Sequence, residues 1–149
     1  MRAVVQRVSQ ARVAVAGETV AEMGDGLLAL VGVGNQDGSA DADDLARRLV
    51  HLRVFEDADG RMNRSLLDVG GTLGVVSQFT LHGDARQGRR PFFGAAAPAE
   101  QAERLLDRLV AAAESFGAPV VRGRFGAAMD VALTNRGPVT ILLDTDRTF

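Results

Sequence analysis

The run "GLLALVGVG", residues 26 to 34, restricts the fold more than any other stretch. It has no polar face, so neither a half-solvated strand nor a surface helix can be made from it. A short apolar run bounded by glycines suits a strand buried on both sides. Such a strand needs covering layers, and the chain supplies them. "NQDGSADADDLARRLVHLRVF" (35–55) reads as a helix, with Ser39 or Asp41 as its cap and acidic residues in the first turn, where the macrodipole favours them. Leu45, Leu49 and Leu52 form its apolar stripe. "PAEQAERLLDRLVAAAESFG" (98–117) is the stronger helix. Pro98 fits its first turn, Gly117 its C-cap, and Leu105, Leu109 and Ala112 line one face.

Strands fill the rest. Residues 2–16 read as one or two, followed by a turn at "AGET" (16–19). Residues 72–81 read as another, and 119–125, 129–134 and 139–144 as three more, the last two pairing as a hairpin around "NRGP". "EDADGRMNRSLLDVGG" (56–71) is turn-rich, and "GDARQGRRPFFGAAAP" is a long loop. The order is strands, helix, strand, helix, strands. The expected class is α+β: one domain over 1–149, with a mostly antiparallel or mixed, barrel-like β-sheet and two packed α-helices. A chain of 149 residues suffices for one real core and is short for two.

Composition removes several functions. Apolar residues make up 46% and charged residues 24%, and no apolar run is long enough to cross a bilayer. Arginines threaded through the first valines give no signal-peptide pattern, so the expectation is a cytoplasmic protein with no membrane partner. With no cysteine, disulfides, thiolate catalysis and cysteine-ligated zinc are excluded. His51 and His82 are the only histidines and lack metal-ligand spacing; Glu56, Asp57 and Asp59 lack the EF-hand pattern and read as a turn. No metal site is expected. The net charge is −2 and every basic side chain is arginine, unlike a protein that coats nucleic acid. One local basic stretch, "DARQGRR", holds Arg86, Arg89 and Arg90; it is either a solvated loop or a site for phosphate or carboxylate groups.

"VVSQFTLHG" (75–83) carries Ser, Gln, Thr and His at a strand end. Thr80 and His82 share a strand face about 7 Å apart, too far for a direct hydrogen bond, and no acid stands by to complete a triad. A Ser77 or Thr80 nucleophile with His82 as base is therefore the weaker reading. The plainer one is hydroxyls that satisfy nearby backbone. His51 reads as a surface or half-buried helix residue. "GVGNQDG" (32–38) has the wrong spacing for a dinucleotide loop. Gly137-Pro138 reads as a hairpin corner, with proline at the first position of a strand, where it is allowed.

"SQFTL" (77–81) and "NRGPVT" (135–140) together resemble the two signature motifs of the D-aminoacyl-tRNA deacylase family, and the likeness extends through "MRAVVQRVSQARVAV", "RVFEDADGRMNRSLLDVGG", "GDARQGRRPFF" and "FGAAMDVALTN". Two departures are visible: Arg136 replaces the usual aspartate of the second motif, and His82 the tyrosine that usually follows the first. The resemblance implies a homodimer that hydrolyses the ester between a D-amino acid, or glycine, and the 3′ end of tRNA. It implies catalytic roles for the strand end at Ser77, Gln78, Phe79 and Thr80, with Phe125 and Met129 nearby. It also implies a cis Gly137-Pro138 that enters the partner's pocket as a rigid wall against L side chains, with Arg7 holding the inserted pair. Neither a metal nor an organic cofactor is implied. On this reading water attacks with help from the substrate's 2′-OH, backbone N–H groups near Phe79 and Thr80 stabilise the oxyanion, and Phe79, Phe92 or Phe93 stacks on the terminal adenine. The competing classes are a dimeric module that binds RNA ends without hydrolysis and a hydrolase of small esters.

Overall fold

In the computed structural model, which describes residues 1–149, strand β1 spans Arg2–Val15, β2 Glu18–Met23 and β3 Gly26–Gly32. The apolar run becomes β3, and it is buried on both faces: Leu27, Ala29 and Val31 face the main core and Leu28 a smaller one. The chain continues through α1 (Ser39–His51), β4 (Phe55–Glu56), β5 (Met62–Arg64), a short α2 (Leu66–Val69) and β6 (Thr72–Ser77). A 3-10 turn over Phe79–His82 precedes α3 (Ala99–Ser115), β7 (Val120–Arg122) and β8 (Asp130–Asp144).

β1 organises the sheet. One of its edges takes β3 along residues 2–8 and then β2 along 11–15; the other takes β8. Beyond β3 the sheet turns parallel, with β6 beside β3 and β7 beside β6. Parallel neighbours need long crossovers, and α1 and α3 lie within them. β7 returns close to β2, so the sheet is mixed and curls into a nearly closed barrel. Inside it lie Val8, Val13, Met23, Leu28 and Val76. Gly74 makes the fit: a Cβ there would lie 2.7 Å from Met23 Sδ and 2.8 Å from Leu28 Cδ1.

The helices cover the outer face. Leu45 and Leu49 of α1 and Leu105 and Leu109 of α3 have no exposed surface. Burying each stabilises the fold by about 1.5–3 kcal/mol. Gly38, not Ser39, is the N-cap of α1, and the Asp41 carboxylate accepts from the Gly38 N–H at 2.8 Å. Pro98 stands at the N-cap of α3, and Gly117, at φ +98°, follows its end. The two expected helices are joined by α2, where Ser65 and Asp68 cap each other's backbone N–H. The turn read at 57–61 is present, with Asp57 Oδ1 accepting from the N–H groups of Asp59 (2.9 Å) and Arg61 (3.0 Å).

Two strand expectations are corrected. β6 stops at Ser77 instead of running to residue 81, because β3 ends at Gly32 and Val31–Ser77 is the last pair of their ladder. Segments 129–134 and 139–144 do not form a hairpin. They are one strand, β8, and both halves pair with β1. β1 is long enough to serve both, so the chain keeps its direction and extrudes the surplus as a bulge. Gln6 pairs with Thr140 and Val8 with Asn135, so residues 136–139 stand opposite Arg7 alone. Gly137-Pro138 is therefore a protrusion from a continuous strand, not a corner.

Candidate functional site

A cavity of about 430 Å³ opens beyond the carboxyl end of β6. One wall is Ser77, Gln78 and Phe79; facing residues include Phe125 and Met129, just before β8. Val33 and Val76 add apolar surface, and Ala97, Ala99 and Ala102 bring the start of α3 to the rim. No ionisable side chain lines the space. Its volume suits a small ligand, and its small residues explain why it is open.

The polar equipment is mostly backbone. The Gln78 N–H is used by the Val31 carbonyl at 2.8 Å. Gln78 is also the N-cap of the 3-10 turn and provides no side-chain cap. The first N–H groups of any helical turn lack an intrahelical acceptor, which singles out those of Phe79 and Thr80. Thr80 is exposed, and its Oγ1 accepts from Gln78 Nε2. His82 goes the other way. It is 8% exposed, and a Cβ on Gly32 or Gly34 would come within 3.1 Å of its ring. Burial pushes its imidazole below the ordinary value, the Gly32 carbonyl opposes the shift, and Nε2 has no partner. The turn thus separates the two residues expected on one strand face. Thr80 points outward and His82 inward, and no Thr–His couple forms.

Gly137 and Pro138 are exposed, their peptide bond is cis, and Gly137 has φ +138°. Asn135 brackets the bulge: its Oδ1 accepts from the Val139 N–H at 2.8 Å and its Nδ2 donates to Thr140 Oγ1 at 3.0 Å. Arg7, 7% exposed, anchors it from below. Its Nε donates to the Arg136 carbonyl at 3.0 Å and its Nη1 to the Val54 carbonyl at 2.6 Å. Arg7 and Gly137 line a separate groove with Glu56 and Gly71. The structure therefore brings together Ser77, Gln78, Phe79, Phe125 and Met129, and leaves Thr80 next to them along the turn. Arg7, Gly137 and Pro138 lie outside that cavity in the same chain.

The alanines at the rim were missed in the sequence. Their signal was "GAAAPAEQA" (94–102), a run of small residues leading into the best helix. No cluster of three or more histidine, aspartate or glutamate side chains converges to hold a metal ion, and no helix is long and apolar enough to cross a membrane.

Fold and cavity define a single-domain mixed-sheet protein with a small, mostly apolar cavity lined by backbone and neutral side chains. The family model described as D-Tyr-tRNA(Tyr) deacylase matches residues 4–144. A D-aminoacyl-tRNA deacylase of Symbiobacterium thermophilum is 54% identical over 149 residues, covering 100% of this chain and 99% of its own. One from Roseiflexus sp. is 57% identical over 145 residues, covering 97% and 94%. A solved structure named c-Myc DNA Unwinding Element Binding Protein superposes with a TM-score of 0.92 at 38% identity, covering 97% of this chain and 99% of its own. The chain belongs to the D-aminoacyl-tRNA deacylase family and is a hydrolase of that class.

Proposed function

We propose that this protein acts in the cytoplasm as a homodimer that hydrolyses the ester of D-aminoacyl-tRNA, and of glycyl-tRNA, and rejects the L-aminoacyl ester. The aminoacyl group occupies the cavity beside Ser77, Gln78 and Phe79, with Phe125 and Met129 nearby. The Phe79 and Thr80 N–H groups face the developing oxyanion, and water attacks with help from the substrate's own 2′-OH. Thr80 positions, and no acyl-enzyme forms. The absence of any ionisable side chain in the cavity lining supports this division of labour, since the protein supplies no base there.

Gly137-Pro138 of the second subunit provides the wall that excludes an L side chain. Glycine, with no side chain, passes. The observation that carries the proposal is the separation within one chain. The bulge stands out of β8, exposed and braced by Arg7 and Asn135, yet contributes nothing to the cavity of its own subunit. A braced protrusion and a cavity open on one side are complementary parts when two copies meet.

The test is incubation with D-tyrosyl-, L-tyrosyl- and glycyl-tRNA. Release of D-tyrosine and glycine with L-tyrosyl-tRNA intact is the expected result. Release from none of the three favours a binding module, and hydrolysis of simple esters without tRNA favours a general esterase.

A further inference from the structure

The loop between the 3-10 turn and α3 has both of its ends at the cavity. Phe79, a wall residue, meets Phe93 edge-on with ring centroids 5.1 Å apart, and Ala97 lines the rim. Between them the Asp84 and Phe92 backbones exchange two 2.8 Å hydrogen bonds, closing residues 85–91 into a tight flap. Seven residues folded back on themselves reach on the order of 10 Å past that bridge.

The three arginines of the flap are not equivalent. Arg86 is engaged bidentately by Asp84, Nε to Oδ1 at 2.9 Å and Nη2 to Oδ2 at 2.6 Å. Arg89 and Arg90 are exposed and make no hydrogen bond or ion pair. They place two uncompensated positive charges beside a neutral cavity, on a chain whose net charge is −2. Next to them Phe92 is 73% exposed. Its ring is not loose: it lies over Gly94, where any Cβ would collide with its edge. An oriented, exposed ring contributes little to a core and offers a face on which a base can stack.

We propose that residues 84–92 form an RNA-contacting flap, in which Arg89 and Arg90 bind backbone phosphates of the acceptor end of tRNA and Phe92 stacks on an unpaired base of its tail. This rests on the aminoacyl-tRNA reading above. Arg86 takes no part, because Asp84 already occupies its guanidinium fork.

The test compares two substrates, D-tyrosyl-tRNA and the D-tyrosyl 3′-ester of adenosine, which carries the reacting bond without phosphates. kcat/KM is measured from 50 to 200 mM salt. For Arg89→Ala/Arg90→Ala on tRNA, loss of two phosphate contacts flattens the log–log salt slope by about 1.4, a change of about sevenfold over that range. Phe92→Ala lowers kcat/KM on tRNA by about fivefold or more without changing the slope. Arg86→Ala keeps the wild-type slope. A double variant with the wild-type slope, or one impaired equally on both substrates, overturns the flap while leaving the deacylase reading intact. Wild-type protein that hydrolyses neither substrate overturns both.

Discussion

Arg7 is buried and donates to two carbonyls, those of Arg136 and Val54. Arg7→Ala removes both bonds at once, and hydrogen bonds to a charged group contribute about 1.5–3 kcal/mol each. The expected result is a fall in urea-unfolding free energy of at least that size and weakened rejection of L-tyrosyl-tRNA. Gly137 is constrained differently. At φ +138° an L side chain is strained, and an alanine Cβ would lie 2.7 Å from Val139 Cγ2. Gly137→Ala should cost about 1–3 kcal/mol and displace the bulge, read as a lower unfolding midpoint and new hydrolysis of L-tyrosyl-tRNA. Thr80 presents the opposite case. Its side chain is exposed and its hydroxyl accepts one bond from Gln78, whereas the proposed donors are backbone. Thr80→Ala should keep D-tyrosyl-tRNA hydrolysis within about tenfold of wild type. Loss of about 10²-fold or more, the size expected for a lost oxyanion donor, would return the hydroxyl to the chemistry.

At the scale of elements, the 3-10 turn is seated by His82, which fills the space over Gly32 and Gly34. Its folded imidazole resists protonation more than the unfolded one, whose ordinary value is 6.5. The charges that face it are Arg2 and the Met1 α-amine, which oppose protonation, and Asp37, which favours it. Stability from this histidine is therefore complete above pH 6.5 and is lost as the pH falls toward its lowered folded value. Urea midpoints from pH 8 to 5 should fall further for wild type than for His82→Phe; parallel curves would show that the turn is indifferent to this charge. Elements whose pattern is local were readable in the sequence: the doubly buried β3, and α1 and α3 with their leucine stripes. The short α2 carried a legible signal too, the Ser65-x-x-Asp68 cap, hidden within a turn-rich stretch. The end of β6 and the continuity of β8 were not readable, because neither is a property of its own residues. "SQFTLH" alternates well enough to continue as a strand, and stops where β3 no longer offers a ladder. Asn135 to Pro138 has the composition of a hairpin turn, and only the length of β1 makes it a bulge. Much the same holds for the site. Ser77, Gln78 and Phe79 were legible as a motif, while the alanines that create the cavity are defined only by what α3 packs against.

For the whole molecule, the prediction concerns which subunit carries the wall. Ala99 lies exposed at the cavity rim, so Ala99→Phe fills the space with little disturbance to the core. Subunits with Gly137→Ala alone should hydrolyse both D- and L-tyrosyl-tRNA. Adding an excess of Ala99→Phe subunits, whose bulges are intact, pairs each open cavity with a sound wall. L-hydrolysis should then fall while D-hydrolysis persists; an unchanged ratio of the two would place the wall within the same chain.

The ladder between β1 and β8 runs on both sides of residues 136–139, and this gives the molecule a manufacturing tolerance. A loop on a flexible stalk would need its own chemistry to find its place. Here the two flanking stretches act as a jig, and the position of the tip is inherited from backbone pairing that hardly depends on which side chains the tip carries. Arg136, where a carboxylate is usual, sits on that tip largely exposed, its Nη1 3.5 Å from Asp25 Oδ1. Drift in this motif should thus be tolerated at Arg136 but not at Asn135, Gly137 or Pro138, whereas a single-residue slip of β8 against β1 would misplace the tip.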